Sequence, residues 1–531
     1  MGEIFDKNSF ILNEDVMRPR YYFGNKFAFD SGAGNIWDSA CLDYDTCVKS
    51  INHYKLGNKN VRCPQGAREW GYHFFCPSEV ISGDGARGGG GGFSKKPKDR
   101  KEAYKLLKEE IYKLYGLDGM TDWETCPGHF LWQHYSCEWG CTSVCAEVGE
   151  SISATQAHAA FCRGAARQFS IPWALQFSFW QWGRINDYTG CDVWGECSRA
   201  NGGHSSELYK RVALLTYLGG ASHFYPEAAI VINFRKEITE EGVYKLSPVG
   251  EMSKKLNEFV ERNPDIGTSC SVFGIVLDKY HGMYPGSRRI KPKKAFQVFD
   301  YTDGDDMTQN ILEIFFPASF NHFISNEASY MVNGPVGETA DVLLQGVSEE
   351  VISAYPCIIL TGDIKLSNEE IAMYSRYAKN GGTLILNTEY LEFFPEYSSR
   401  YNGRLRCDLD EGNGKVIIFG PTFGVNALLP IIKEQTAHFI PFKLSKQIDF
   451  MFNVKEHSLI ITLMNNSGYY YNCDNGEDID ITETKTLTLT YTGDGEIKSV
   501  SELWNNEKMN TSSSFEVTLS PAEVKIFEFE F

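Results

Sequence analysis

Four glutamates stand where apolar runs of this sequence give way to polar text: Glu124 in DWETCPGH, Glu147 and Glu150 in CAEVGES, and Glu227 in FYPE. Two carboxylates facing one substrate can divide acid and base work. Cleaving a glycosidic bond needs a proton donor at the leaving oxygen, and a second carboxylate that attacks the anomeric carbon or activates water. Glu147 and Glu227 are the expected catalytic pair, with Glu150 and Glu124 next. Glu147 ends an apolar strand, where an uncompensated carboxylate is costly. Glu227 follows Tyr225-Pro226 at another strand end. The competing reading of each is a solvated or ion-paired strand-end carboxylate, and Glu150 also suits the first turn of the helix that follows it. Aromatic residues gather in the same places: Trp123, Trp180, Trp182, Tyr188 and Trp194. Such rings stack on the CH faces of sugars. His129, His204, His223, Gln176, Gln181, Asn186 and Asp187 offer partners for hydroxyls. Singly, each of these is more often structural; together they suggest a carbohydrate site.

Strand ends must be held by a scaffold, and the text between residues 60 and 260 supplies one. KEAYKLLKEEIYKLYGL (101–117) has apolar positions three and four apart, the period of an amphipathic helix. CTSVCAEVGE, IPWALQFSFW and ASHFYPE read as strands, and ISATQAHAAFCRGAARQF and HSSELYKRVALLTYLGGA as the helices between them. Repeated strand-then-helix units imply a parallel sheet, and eight of them close a barrel of about 250 residues. Residues 1–264 are therefore expected to form a (β/α)8 TIM-type barrel. The loop QWGRINDYTGCDVWGECSRANGGHSS (181–206) leaves a strand at the barrel end where active sites are built. Residues 265–440 read as a flavodoxin-like (glutamine-amidotransferase-like) doubly wound α/β domain without a G-x-G-x-x-G fingerprint, so no dinucleotide is expected. Residues 441–531 alternate with period two and predict a C-terminal antiparallel β-sandwich.

A net charge of −18 argues against nucleic acid and anionic membranes as partners. No apolar run reaches the length of a membrane span, and the first residues do not read as a signal peptide. Fifteen cysteines without paired spacing argue for free thiols and favour a cytoplasmic location. Cys137, Cys141 and Cys145 lack the spacing of a zinc or iron–sulfur site, so neither metal nor other cofactor is expected. GDGARGGGGGFSKK (83–96) lacks the order of a phosphate-binding loop and reads as a flexible connection. No G-x-S-x-G, H-E-x-x-H or Walker motif competes with the carboxylates.

The succession of barrel, flavodoxin-like domain and sandwich resembles the family-42-type β-galactosidases. YLGGASHFYPE is similar to that family's last barrel strand, LSPVGEMSKKLNEFVERNP to the helix leading out of the barrel, and SVFGIVLD to the strand after it. CIILTGDIKLSNEEIAMYSRYAKNGGTLILN is similar to its oligomerisation domain. The resemblance covers roughly residues 120–531. It implies a retaining two-glutamate glycosidase acting on an oligo- or polysaccharide, and a homo-oligomer built through the middle domain. The sequence departs from the family at the site: no Asn-Glu stands at a matching strand end, and IPWALQFSFW ends in Trp180-Gln181 without a glutamate. The family's catalytic pair is therefore not transferred residue by residue. Two other readings stay open. One is a barrel that binds carbohydrate without catalysis. The other is a polysaccharide lyase, with Arg163, Arg167, Arg184 and Arg199 as the cations available to a uronate; Arg163 and Arg167 lie mid-helix, which weakens it.

Overall fold

The structure is a computed structural model. It describes residues 65–68, 93, 95–119, 123–126, 132–149, 154–179, 202–226, 232, 234–240, 243–282, 294–296, 298–317, 326–420, 425–472 and 474–531.

The first layer is a parallel sheet of five strands in sequential order: β1 (Gln65–Arg68), β2 (Trp123–Cys126), β3 (Ser143–Gly149), β4 (Trp173–Ser178) and β5 (His223–Pro226). Each crossover carries a helix: α1 (Arg100–Tyr115), α2 (Gln133–Glu138), α3 (Thr155–Phe169) and α4 (Ser206–Leu218). Sequential parallel order is that of a barrel wall. The described strands form one five-stranded sheet, and no closure into a barrel is seen among the described residues. Local signals fix the helix ends. Asp99 caps α1 by accepting from the backbone N–H of Glu102, and Gly116 ends it in the left-handed conformation. Ser205 caps α4 through the N–H of Leu208.

The second layer is a six-stranded sheet. Its strands are β6 (Phe273–Leu277), β7 (Ala340–Leu344), β8 (Cys357–Leu360), β9 (Thr383–Asn387), β10 (Arg406–Glu411) and β11 (Gly414–Phe419), in the order β7-β6-β8-β9-β11-β10. All pairs are parallel except β10 with β11. A parallel sheet that starts in the middle and winds outward both ways is a doubly wound fold. Helix α5 (Pro248–Arg262) leads into this layer; α6 (Asp303–Phe315), α7 (Asn368–Lys379) and α8 (Val425–Phe439) belong to it. Besides a two-stranded hairpin of Tyr469–Asn472 with Gly476–Ile479, the C-terminal part of the chain forms a three-stranded and a six-stranded sheet, both antiparallel. Their facing sides meet through aromatic rings: Phe442 lies 5.0 Å from Phe529 and 5.8 Å from Phe452, and Phe515 lies 5.3 Å from Phe527. The strand Thr268–Ser269, which precedes β6, adds itself to the six-stranded sheet beside Asn453 and Val454.

Helix α3 holds the first two layers together. Residues 155–166 are all buried, because the helix has β3 on one side and β7 on the other. A Cβ at Gly164 would lie 1.9 Å from the carbonyl oxygen of Val342, so only glycine permits this approach. β7 is an edge strand, and side chains of the first layer satisfy its outward backbone groups. Arg163 Nη2 donates to Ala340 O (2.9 Å), His134 Nε2 to Val342 O (2.8 Å), and Gln168 Nε2 to Leu344 O (3.0 Å) while its Oε1 accepts from Leu344 N (2.8 Å). Burial pushes His134 down to about 4, so its ring is neutral and Nε2 carries the donated proton. The opposite edge, β10, carries Arg406, Asp408, Asp410 and Glu411, charges that discourage strand addition.

Arg163 and Arg167 correct one expectation. Both point into the interface and meet Asp341: Arg163 Nε donates to Oδ1 at 2.6 Å and Arg167 Nη1 to Oδ2. Tyr355 OH donates to the same carboxylate (2.8 Å). Burial works to raise the Asp341 carboxyl, but the two guanidinium groups outweigh it and hold it below the usual range. These cations serve the joint between layers and are not available to a uronate.

A second buried cluster joins all three layers. Gln156 Nε2 of α3 reaches Glu338 Oε1 (2.5 Å), Asp449 Oδ2 (3.0 Å) and Val332 O (3.1 Å), and Asn466 Nδ2 donates to Asp449 Oδ2 (3.0 Å). One NH2 group has two hydrogens for those three acceptors. Burial raises the Glu338 carboxyl, and burial together with Glu338 raises Asp449 well above the carboxylate range. An acid whose folded pKa is raised contributes stability that is present below its unfolded value and lost as pH rises through the folded one. Asp449→Asn should therefore flatten the pH dependence of the thermal midpoint, removing part of the decline that sets in as pH rises above about 4, the unfolded value of an aspartate. Parallel slopes for variant and parent would show that this pair does not titrate with folding.

Candidate active site

β3 and β4 present two different faces. Val144, Ala146 and Val148 are in register with Trp173, Leu175 and Phe177, and all six join the core that includes Ala157, Phe161 and Cys162 of α3. Side chains alternate along a strand, so Ser143, Cys145, Glu147 and Gly149, with Ala174, Gln176 and Ser178, occupy the other face. Cys145 and Ala174 form a small apolar cluster of their own there. Toward the C-terminal ends this face is polar: Glu147 is level with Gln176, and Gly149 with Ser178. Glu147 is 2 % exposed and Gln176 6 %. The hydroxyls of Ser143 and Ser178 are buried without a hydrogen-bond partner among the described residues. Gly149 has a positive φ of 95°, and a Cβ on it would lie 2.1 Å from Ser178 O. The two strands thus draw close where the chain leaves β3.

Among the expected site residues, Glu147 lies near the C-terminal end of its strand. Glu124 is the second residue of β2 and is level with Ser143, four residues below Glu147. At about 3.3 Å per residue it is set back by about 13 Å along the sheet from Glu147, and it lies within its strand and not at the C-terminal end expected for it. Trp123 opens β2 at the opposite end from the loops and is 1 % exposed, with Tyr112 edge-on to its ring at 6.5 Å. It belongs to the core and does not form a sugar platform. His204 is also buried. Its Nδ1 donates to Glu327 Oε1 (2.8 Å), and the same glutamate accepts from Ser205 N (2.6 Å) and from Ser205 Oγ. His204 therefore anchors the end of the β4–α4 connection to the segment before β7, and does not offer a hydroxyl partner at the surface. His129, Glu150, Trp180, Gln181, Trp182, Asn186, Asp187, Tyr188, Trp194 and Glu227 lie outside the described residues, as do Arg184 and Arg199. His223 is the first residue of β5, level with Ala174.

Strand order gives the remaining geometry. β4 separates β3 from β5, and the row Glu147–Gln176–Tyr225 runs across the three. Two strand spacings amount to about 10 Å. In sequence, Glu150 directly follows the last residue of β3 and Glu227 that of β5; Glu69 stands in the same relation to β1. The sequence reading passed over Glu69 because QGAR, with no β-branched or aromatic residue, does not read as a strand. Glu327 and Glu338 were missed as well, since their partners lie more than 120 positions away.

Cys137, Cys141 and Cys145 are buried thiols, and burial together with the neighbouring Cys141 pushes Cys137 well up. No group of three or more His, Cys, Asp or Glu is placed to hold a metal ion among the described residues. None of their helices is long and apolar enough to cross a membrane.

The sequence matches no protein-family model, and no curated protein matches it. Solved structures do match. The chain is similar in structure to family-42 glycoside hydrolases. A GH42 β-galactosidase from G. stearothermophilus aligns with 81 % of this chain and 67 % of its own, at 11 % identity and a TM-score of 0.45. A β-galactosidase from Bacillus circulans sp. alkalophilus covers the same shares at 10 % identity and a TM-score of 0.49. An exo-carrageenase GH42 from Bacteroides ovatus covers 81 % of this chain and 54 % of its own, at 12 % identity and a TM-score of 0.42. With scores below 0.5 and about one residue in ten identical, the functional reading rests on the chain's own residues.

Proposed function

We propose that this protein is a glycoside hydrolase that cleaves an oligo- or polysaccharide through two carboxylates at the C-terminal end of a (β/α)8 barrel. Residues 1–264 are taken as the barrel, 265–440 as a flavodoxin-like domain and 441–531 as a β-sandwich. The observation that supports the reading is Glu147: a carboxylate at 2 % exposure on the polar face of a parallel sheet, level with Gln176, while helices cover the other face. A face serving only packing would be lined by branched apolar residues. Glu147 and Glu227 are the proposed pair, one protonating the leaving oxygen and the other attacking the anomeric carbon or activating water. Trp180, Trp182, Tyr188 and Trp194 are proposed sugar platforms, with His129, Gln181 and Asp187 as hydroxyl partners. A homo-oligomer through the middle domain is part of the same reading.

The test is incubation of the full chain with a panel of neutral and acidic glycans. New reducing ends without unsaturated uronates are the expected products. Unsaturated uronates would replace hydrolysis by elimination, and saturable binding without any cleavage would leave a carbohydrate-binding barrel.

A further inference from the structure

A groove of about 620 Å³ runs between the C-terminal half of α8 and the segment Phe442–Ile448, with Pro335 and Val336 at its side. It lies far in sequence from the candidate active site and uses none of its residues. Ligand sites of single small molecules have volumes of about 300–1,000 Å³ and favour joints between layers.

The lining divides by chemistry. Val336, Ile440, Ile448 and Phe450 make an apolar floor, all of them buried. Lys433, Lys443 and Lys446 stand along the rim, exposed, and none forms an ion pair among the described residues. No aspartate or glutamate lines the groove, in a chain whose net charge is −18. Three uncompensated ammonium groups beside an apolar trough are complementary to an anion carrying a hydrocarbon body. The floor offers no exposed aromatic ring on which a sugar could stack, so the trough suits an aliphatic chain better than a glycan. A second observation points the same way. Thr436 lines the groove, is 7 % exposed, and its hydroxyl has no hydrogen-bond partner among the described residues. A threonine within a helix ordinarily returns that hydroxyl to the carbonyl four residues back.

We propose that this groove binds a free medium-chain aliphatic carboxylate, with the chain on the Val336–Ile440–Ile448 floor and the carboxylate among Lys433, Lys443 and Lys446. The proposal is independent of the glycosidase reading.

Decanoate, titrated calorimetrically into the full chain below its micellar range, is the probe. One saturable site is expected. The double variant Lys443→Glu, Lys446→Glu changes only exposed positions and should weaken binding at least tenfold. Ala437→Trp, on the exposed lip of α8, should block the trough and abolish it. Decyltrimethylammonium, which has the same chain and the opposite charge, should bind at least tenfold more weakly than decanoate. Equal affinity for the cation, undiminished affinity in the charge-reversed variant, or no saturable binding up to about 1 mM would overturn the proposal. So would a dimer that the charge reversal dissociates while decanoate fails to bind, since the groove would then belong to a second copy of the chain.

Discussion

Asp341→Ala is expected to cost about 3–5 kcal/mol of stability, read from denaturant midpoints at constant slope. The carboxylate is fully buried and has three partners: Arg163, Arg167 and the hydroxyl of Tyr355. Removing it leaves Arg163, 1 % exposed, as a buried cation without its counter-charge. A surface ion pair is worth about 0–1 kcal/mol, and a loss of that size would mean that water reaches the joint. Replacing Arg163 and Asp341 together by apolar residues of similar volume should cost much less than either change alone, because the penalty lies in the stranded charge.

Glu147→Gln should lower turnover by about 10²–10⁴-fold on a substrate found by the glycan panel, with the far-ultraviolet spectrum unchanged. Glutamine keeps the shape and the hydrogen-bonding reach of the side chain but carries no acid–base function. A structural carboxylate would behave in the opposite way: melting would shift and turnover would hold. Glu227→Gln should give a comparable loss, and the basic limb of the pH profile should change in one variant and the acidic limb in the other. If both variants keep near-normal turnover, the pair is wrong, and Glu150 and Glu69 are the next strand-end carboxylates to change.

Much of the scaffold was legible because periodicity reports which sides of an element are wet. KEAYKLLKEEIYKLYGL has one dry stripe and became α1; CIILTGDIKLSNEEIAMYSRYAKNGGTLILN became β8, α7 and β9 in order. The alternation of SLIITLMNN and KTLTLTYTG marked antiparallel strands with one covered face. CTSVCAEVGE also read correctly as a buried strand, and the catalytic proposal for Glu147 grew from that. What remained hidden was what lies against each face. Arg163 sits mid-helix and Arg167 in the last turn of α3, and a helical period cannot tell that β7 packs on that side, so their position alone weakened them as partners of a uronate without showing the carboxylate they meet. Trp123 was assigned to a strand end correctly but to the wrong end, because DWETCPGH carries no sign of where its four-residue strand begins. His204 reads as a loop residue; its burial depends on Glu327, 123 positions away.

The covering of β7 by α3 has a consequence for any attempt to dissect the chain. Ala340, Val342 and Leu344 turn their carbonyls toward Arg163, His134 and Gln168, so the sheet that begins near residue 273 has one sealed margin only while the segment from His134 to Gln168 is folded against it. A fragment starting at residue 265 would present an unpaired, apolar strand margin to other copies, a template for aggregation. Limited proteolysis and domain truncation would thus yield insoluble material instead of separable modules, and heating should unfold the first two layers in a single transition.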